Sequence, residues 1–431
     1  MFRVIRRSVR SVAEPQLQQR RSESRALVER IVRPFQQFVG TEAAGGIVLL
    51  IGAALALIWA NWPGQTSYFH FWERSVSVTV GTLELTSSLR AAINDGLMVV
   101  FFLLVGLEIK REILVGELST AREAALPVAA ALGGMIVPAA IYAAFNPVGV
   151  EARGWGIPMA TDIAFALGVL VLLGNRIPAG LRVFLTAFAI VDDLGAVLVI
   201  ALFYTDGVSL AALGFAAIVL AALIACNRLG ARHPAVYGAL GLVLWLAVLE
   251  SGVHPTVAGV LLAMTIPSIV DHRRDATSLS QHVEEAAAAP LLRLEHRLNP
   301  IVAFAIMPLF AFANAGVRLT PEVFGTLSWP IILGVVLGLC AGKVIGILTA
   351  SWAATRVGIA TLPRQVTWGA MAGVSCLGGI GFTMSLFVAT LAFGSGPLLN
   401  SAKVGIVGAS LIAGTVGACV LGFVRPIPRR E

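Results

Sequence analysis

Charge is what this chain has least of. Asp, Glu, Lys and Arg together make up only 13% of its 431 residues, against about 25% in an ordinary globular domain. That shortage excludes a water-soluble fold, and no nucleic-acid partner is expected. Lysine is scarcer still: Lys110, Lys343 and Lys403 stand against 28 arginines, so a lysine kept inside an apolar run carries information. The four cysteines (Cys226, Cys340, Cys376, Cys419) have no metal-like spacing and read as small packing residues.

What the chain has instead is apolar length. Hydrophobic residues make up 57% of it, the mean hydropathy is +0.86, and runs such as "AAGGIVLLIGAALALIWA" approach the ~20 residues a helix needs to cross a bilayer. The 44 glycines and 20 prolines suit a bundle in which small residues let helices approach closely and breaks are tolerated. The pattern predicts an all-α polytopic membrane protein whose main partner is the lipid bilayer. Twelve spans are expected near 41–61, 89–110, 125–146, 151–173, 180–204, 209–226, 234–250, 253–269, 291–316, 329–350, 367–393 and 399–423.

Arginines and lysines test that count. With the N-terminus inside, 25 of the 31 basic residues fall in inside segments, four (Arg74, Arg90, Arg153, Arg318) fall outside, and Lys343 and Lys403 lie in spans. This is the bias of the positive-inside rule, and it places both termini in the cytoplasm. The organisation expected is a basic tail over 1–40, a twelve-span domain over 41–425 and a short tail over 426–431. Residues 1–40 hold nine Arg and three Glu. They read as a cytoplasmic tail near anionic headgroups, with 25–39 lying on the surface as an amphipathic helix; a cleaved organellar leader is the other reading.

One outside loop has a pattern of its own. "SVSVTVGTLELTSS" alternates apolar and polar residues on both sides of "GT", as a short β-hairpin does; a floppy loop is the alternative. Two strands alone are marginal in water, so a partner is expected, and a second copy of the 75–86 hairpin would make a homodimer.

The informative residues are the charges inside the spans, because ionisable groups in a membrane are costly and usually line an ion pathway or pair with each other. Asp95 in "INDG" is expected as an N-cap. Glu108 in "VGLEIKRE" is expected in a surface network with Lys110, Arg111 and Glu112, or at a cytoplasmic entrance. For His254 in "SGVHP", a hydrogen bond at a helix start competes with a proton-relay or pH-response role. Asp162, Asp192, Asp193 and Lys343 lie at mid-depth, where an interfacial role does not explain a charge. Two carboxylates ~5 Å apart at an effective dielectric of ~20 repel by roughly 3 kcal/mol. An apolar setting further disfavours two charges at once. A pair that holds one exchangeable proton, and otherwise offers anionic oxygen, is a site where protons and hard cations compete.

Helix breaks point to the same place. Pro158 interrupts "GWGIPMATDIAFALG", and Thr161–Asp162 then read as an unwound segment leading into the N-cap of a half-helix. Gly378, Gly379 and Gly381 interrupt the eleventh span before Thr383. Interrupted spans at matching places in two halves of a chain mark a transporter's binding site. If the half-helices cross, Asp162 is expected to offset their positive N-terminal ends and Lys343 their negative C-terminal ends.

These segments, with "EAAGGI", "INDGLMVVFFLLVGLEIKRE", "AIVDDLGAVLVIALFYT", "SGVHPTVAGV", "RLEHRLNP", "LFAFANAGV" and "GGIGFTMSLFVA", resemble the NhaA-type sodium/proton antiporters of bacterial inner membranes over about residues 40–425. The resemblance implies inverted-topology repeats with two discontinuous crossing helices. It implies a pH-regulated, electrogenic exchange of sodium or lithium for protons by alternating access, without an enzymatic step or a cofactor. Asp192 and Asp193 would be the central sodium-binding pair, Asp193 the principal ligand. Thr161 and Asp162 would lie at the helix crossing and Lys343 would pair with Asp192. Asp95 and Glu108 match acidic positions of the second span, and Glu295 and His296 a cytoplasmic pH-responsive cluster. Leu292 and Asn299 stand where some relatives carry ionisable residues. A sodium-coupled organic-anion symporter of similar architecture is the alternative. An intramembrane aspartyl protease, which needs its aspartates on separate facing helices, does not fit an adjacent pair.

Overall fold

A computed structural model describes residues 44–62, 66–80, 83–174, 177–205, 207–231, 233–268, 290–363 and 365–424. The 1–40 and 426–431 tails, and the surface helix expected at 25–39, lie outside the described residues. Apolar sequence becomes helix almost throughout, since in lipid only a helix satisfies its own backbone within one segment. Among the described residues eight helices are long and apolar enough to span: α1 (Ala44–Asn61), α3 (Leu89–Val115), α4 (Ala121–Phe145), α6 (Ala179–Phe203), α7 (Leu210–Arg228), α10 (Pro290–Asn314), α12 (Trp329–Arg356) and α15 (Pro397–Phe423). Polar side chains fix several starts. Thr120 accepts from the Glu123 amide and its hydroxyl donates to the Glu123 carboxylate at 2.7 Å, while Ser209 caps α7 and Thr367 caps α13 (Trp368–Gly378).

Two further spans are bent pairs. A 3-10 helix over Glu151–Met159 meets α5 (Ile163–Leu172) at 40°, and α13 meets α14 (Phe382–Phe393) at 43°. The seventh and eighth expected spans fall on shorter helices, α8 (Pro234–Glu250) and α9 (Val257–Thr265). At 1.5 Å per residue, α9 by itself reaches only about 14 Å. Short helices α2 (Thr66–Trp72) and α11 (Pro321–Thr326) complete the set.

Between α2 and α3, β1 (Ser75–Val80) and β2 (Leu83–Ser88) pair antiparallel, with Ser75 opposite Ser88 and Val80 opposite Leu83. The Ser77 and Thr86 hydroxyls bond across the ladder at 3.0 Å. The start of α3 corrects one expectation. Ser88, not Asp95, is the cap, accepting from the Ala91 amide. Asp95 lies in a π-helical turn, Ile93–Leu97, well inside the same helix. Similar turns occur at Val302–Ile306 in α10 and Gly338–Gly342 in α12, and such bulges mark functional places in helices.

Close packing is set by glycine. Where α4 crosses α12, a Cβ on Gly133 would overlap the Gly346 carbonyl and a Cβ on Gly346 the Gly133 carbonyl. This approach seats Lys343 in the interior beside α6.

Candidate functional site

The two interrupted spans bond to each other at their breaks. Pro158 lies in the last turn of the 3-10 helix, and the chain then runs extended through Ala160 and Asp162. Backbone groups freed there find partners on the other span. The Asp162 amide donates to the Ile380 carbonyl at 2.6 Å, and the Thr161 hydroxyl donates to the Gly378 carbonyl at 2.8 Å. Glycine suits the position opposite, because a Cβ on Gly381 would overlap the Ser385 hydroxyl, crowd Leu339 and lie 3.0 Å from the Ala160 carbonyl.

Asp162 serves both half-helix starts. One oxygen accepts from the Phe165 amide at 3.0 Å, capping α5. The other accepts from the Thr383 amide at 3.0 Å and the Thr383 hydroxyl at 2.5 Å, at the start of α14. A carboxylate between two N-terminal ends is the arrangement helix dipoles favour. Of the two C-terminal ends, that of α13 is bonded by the Thr161 and Asp162 groups, and at that of the 3-10 helix the Ser385 hydroxyl donates to the Ile157 carbonyl at 2.7 Å; the hydrogen bonds of Lys343 go to Asp192. Its amine donates to both oxygens of Asp192, at 3.0 and 2.8 Å. Both side chains are fully enclosed, and the amine also lies 5.5 Å from the centre of the Phe188 ring. The second oxygen of Asp192 accepts from the Thr161 amide as well, at 2.8 Å.

Asp193 turns the other way. It lines a cavity of about 30 Å³ walled by α3, α5, α10 and α14. Glu108, Thr161, Asp162, Asn299 and Thr383 supply the other polar groups, and Phe101, Leu104, Met307 and Met384 are among the apolar ones. These are oxygen donors with an amide, the set a hard cation prefers. In volume the cavity suits an ion with a water or two.

The remaining candidates form two groups at opposite ends of α3. At one end Arg111 bridges Glu112 at 2.9 Å and Glu295 of α10 at 2.6 Å. Lys110 is not in this network; it donates to the Met264 and Ile266 carbonyls at the end of α9. Glu108 is buried and faces the cavity. His296, unlike its neighbour Glu295, is exposed. In the loop after α3, burial and then the charges of Glu123 and Glu112 hold the Glu117 carboxyl above the usual range. His254 belongs at the other end of α3, apart from Glu108 and Glu295. Its Nδ1 bonds the Thr256 hydroxyl at 2.7 Å in the turn before α9, and its Nε2 lies 3.6 Å from Asp95.

Two cavity residues escaped the sequence reading as site residues. Local sequence marks Thr383 only as a helix start and Asn299 only as a departure from relatives, yet both line the cavity. A hydroxyl directly after a glycine break signals the first; the second sits four residues after Glu295, on the same face of α10.

Residues 36–421 match the family model described as Na+/H+ antiporter 1. A Koribacter versatilis protein named Na(+)/H(+) antiporter NhaA is 49% identical over 92% of this chain and 93% of its own length. Its namesake from Syntrophobacter fumaroxidans is 50% identical over 92% of each chain. The Escherichia coli protein of that name is 48% identical over 91% of this chain and 97% of its own.

Proposed function

We propose how exchange proceeds in this chain, which belongs to the Na+/H+ antiporter 1 family and is a multi-pass sodium/proton antiporter, not an enzyme. No cofactor takes part; the ions moved are sodium, lithium and protons. Asp193 is the group for which they compete. In one orientation it gives up a proton to the cytoplasm and takes sodium with the hydroxyl, amide and carboxylate oxygens beside it. In the other it releases sodium outside and takes a proton there. Asp162 holds the half-helix starts together while the two broken spans move, and the Asp192–Lys343 pair anchors α12 to α6. Exchange on Asp193 alone is one proton for one sodium; a second proton, carried inward on another carboxylate of the cavity wall, makes the cycle electrogenic, so that the membrane potential drives it at about 2.3 kcal/mol per charge per 100 mV.

The observation that carries this reading is the opposite placement of adjacent carboxylates: Asp192 closed on Lys343 and Thr161, Asp193 on the cavity wall. Twelve spans in inverted repeats, both termini in the bacterial cytoplasm and a homodimer joined through the 75–86 hairpin complete the proposal. The Arg111–Glu295 bridge and the acidic residues around it are its pH-responsive part. The reading that a sodium-coupled symporter carries an organic anion is disfavoured by the small cavity and its three carboxylates. Everted membrane vesicles test the proposal. Adding sodium or lithium salts to a respiring preparation should collapse the pH gradient and potassium should not; sodium-driven uptake of an organic anion without proton movement would overturn it.

A further inference from the structure

We propose that the hairpin-side end of the bundle holds a small-anion site, formed by Lys403 of α15, Arg90 of α3 and Trp72 of α2 and suited to a weakly hydrated monovalent anion such as chloride.

The starting point is Lys403, which is buried to 2% exposure. Its amine has one hydrogen bond, a long one of 3.4 Å to the Gly316 carbonyl after α10. The Nε and Nη2 of Arg90 are buried with no hydrogen-bond partner, and so is the indole Nε1 of Trp72, a residue 3% exposed. None of the ion pairs among the described residues includes Arg90 or Lys403. The contrast with Lys343, closed on Asp192 at 2.8 Å, is complete.

Lys403 and Trp72 both lie near one side chain, Tyr68. Its hydroxyl donates to the Phe312 carbonyl at 2.8 Å and accepts from the Gly316 amide at 3.2 Å, so its own bonds are made. Gly316 packs so tightly on the ring that a Cβ there would overlap it, which places Lys403's single acceptor against Tyr68. The Trp72 ring centre is 6.4 Å from that of Tyr68, and the Leu89 amide, one residue before Arg90, donates at 2.9 Å to the carbonyl of Arg74, two residues after Trp72, which brings the start of α3 beside the end of α2. Donors are therefore left over while the nearby acceptors are in use.

A guanidinium stays protonated under all protein conditions, and buried donor atoms left without partners, as the Nε and Nη2 of the half-buried Arg90 are among the described residues, are disfavoured. What completes such a cluster is a ligand that carries negative charge and only accepts hydrogen bonds. The indole, phenol and phenyl walls of Trp72, Tyr68 and Phe312 favour an anion that leaves water readily over a strongly hydrated sulfate or phosphate. With the anion bound, α2 and the hairpin that follows it are fastened to α3 and α15.

The test uses the full-length protein in detergent, with chloride, bromide, sulfate and gluconate as sodium salts at equal sodium and ionic strength. Chloride and bromide should raise the unfolding temperature above that in sulfate or gluconate. Bromide should also quench part of the tryptophan fluorescence in a saturable way, and Trp72→Phe should remove that component. Arg90→Gln should weaken the apparent bromide affinity about tenfold or more, the loss expected for one charge-assisted hydrogen bond. Lys403→Met should do the same, and Lys403→Arg, which keeps the charge, should retain binding. If Lys403→Met does not fold, Arg90→Gln decides alone. Equal unfolding temperatures in all four salts would overturn the site, and so would saturable quenching that is unchanged in Arg90→Gln.

Discussion

Asp192 and Asp193 are neighbours in sequence, yet they face two regions of the molecule with opposite demands. About 100° of turn separates successive helix residues. That rotation puts Asp192 against α12, where Lys343 and the Thr161 amide take up its oxygens. It puts Asp193 on the wall of the cavity between α3, α5, α10 and α14. A buried acid whose bonds are closed holds helices in register. One that faces a cavity of oxygen donors can trade a proton for a cation. The difference lies in what each carboxylate meets, since the residue type is the same.

The comparison breaks most readily at Asp193. Asp193→Asn should abolish sodium-dependent proton movement in vesicles while leaving the folded protein in place, since the substitution keeps the shape and removes the charge. Asp192→Asn should reduce exchange severely but leave weak cation binding. Its clearest mark should be on stability, because removing one partner of a buried ion pair costs about 3–5 kcal/mol. The double variant Asp192→Asn/Lys343→Met should then be more stable than Asp192→Asn alone, as thermal unfolding in detergent would reveal; equal or lower stability would mean that the pair does not act as a unit.

A smaller effect is expected at the crossing. Thr383→Val removes a hydroxyl that donates to Asp162, a charged acceptor, and should cost about 1.5–3 kcal/mol and slow exchange without abolishing it. Smallest is Lys343→Arg. If Lys343 acts only as the counter-ion of Asp192, sodium-induced current on a supported membrane should fall modestly with the charge moved per sodium unchanged. A changed charge per sodium would make Lys343 a proton carrier, because Arg does not release its proton.

Much of this architecture is legible in the residues. Apolar length locates the spans, and Pro158 and Gly378–Gly381 locate the breaks, because each removes something a continuous helix needs. Thr161–Asp162 announce a helix start for the same reason. The partners are harder to read. That Asp162 caps α5 and also bonds Thr383, 221 residues away, follows from the crossing of two spans and from no local pattern. The π-helical turn that holds Asp95 leaves no signature in "INDG", so a local rule for caps chose the wrong residue, while Ser88 a few positions earlier did the work. The sequence groups His254 with Glu108 and Glu295 by residue type alone. Helix rise separates them, since Asp95, which His254 meets, and Glu108 are more than three turns apart on α3.

Proton release from the purified protein on adding sodium, in weakly buffered detergent solution, tests the central claim most directly. Wild type and the Asp192→Asn/Lys343→Met double variant should both release protons as sodium displaces them from Asp193, and Asp193→Asn should release none. Undiminished proton release from Asp193→Asn would contradict the division of roles between the two aspartates.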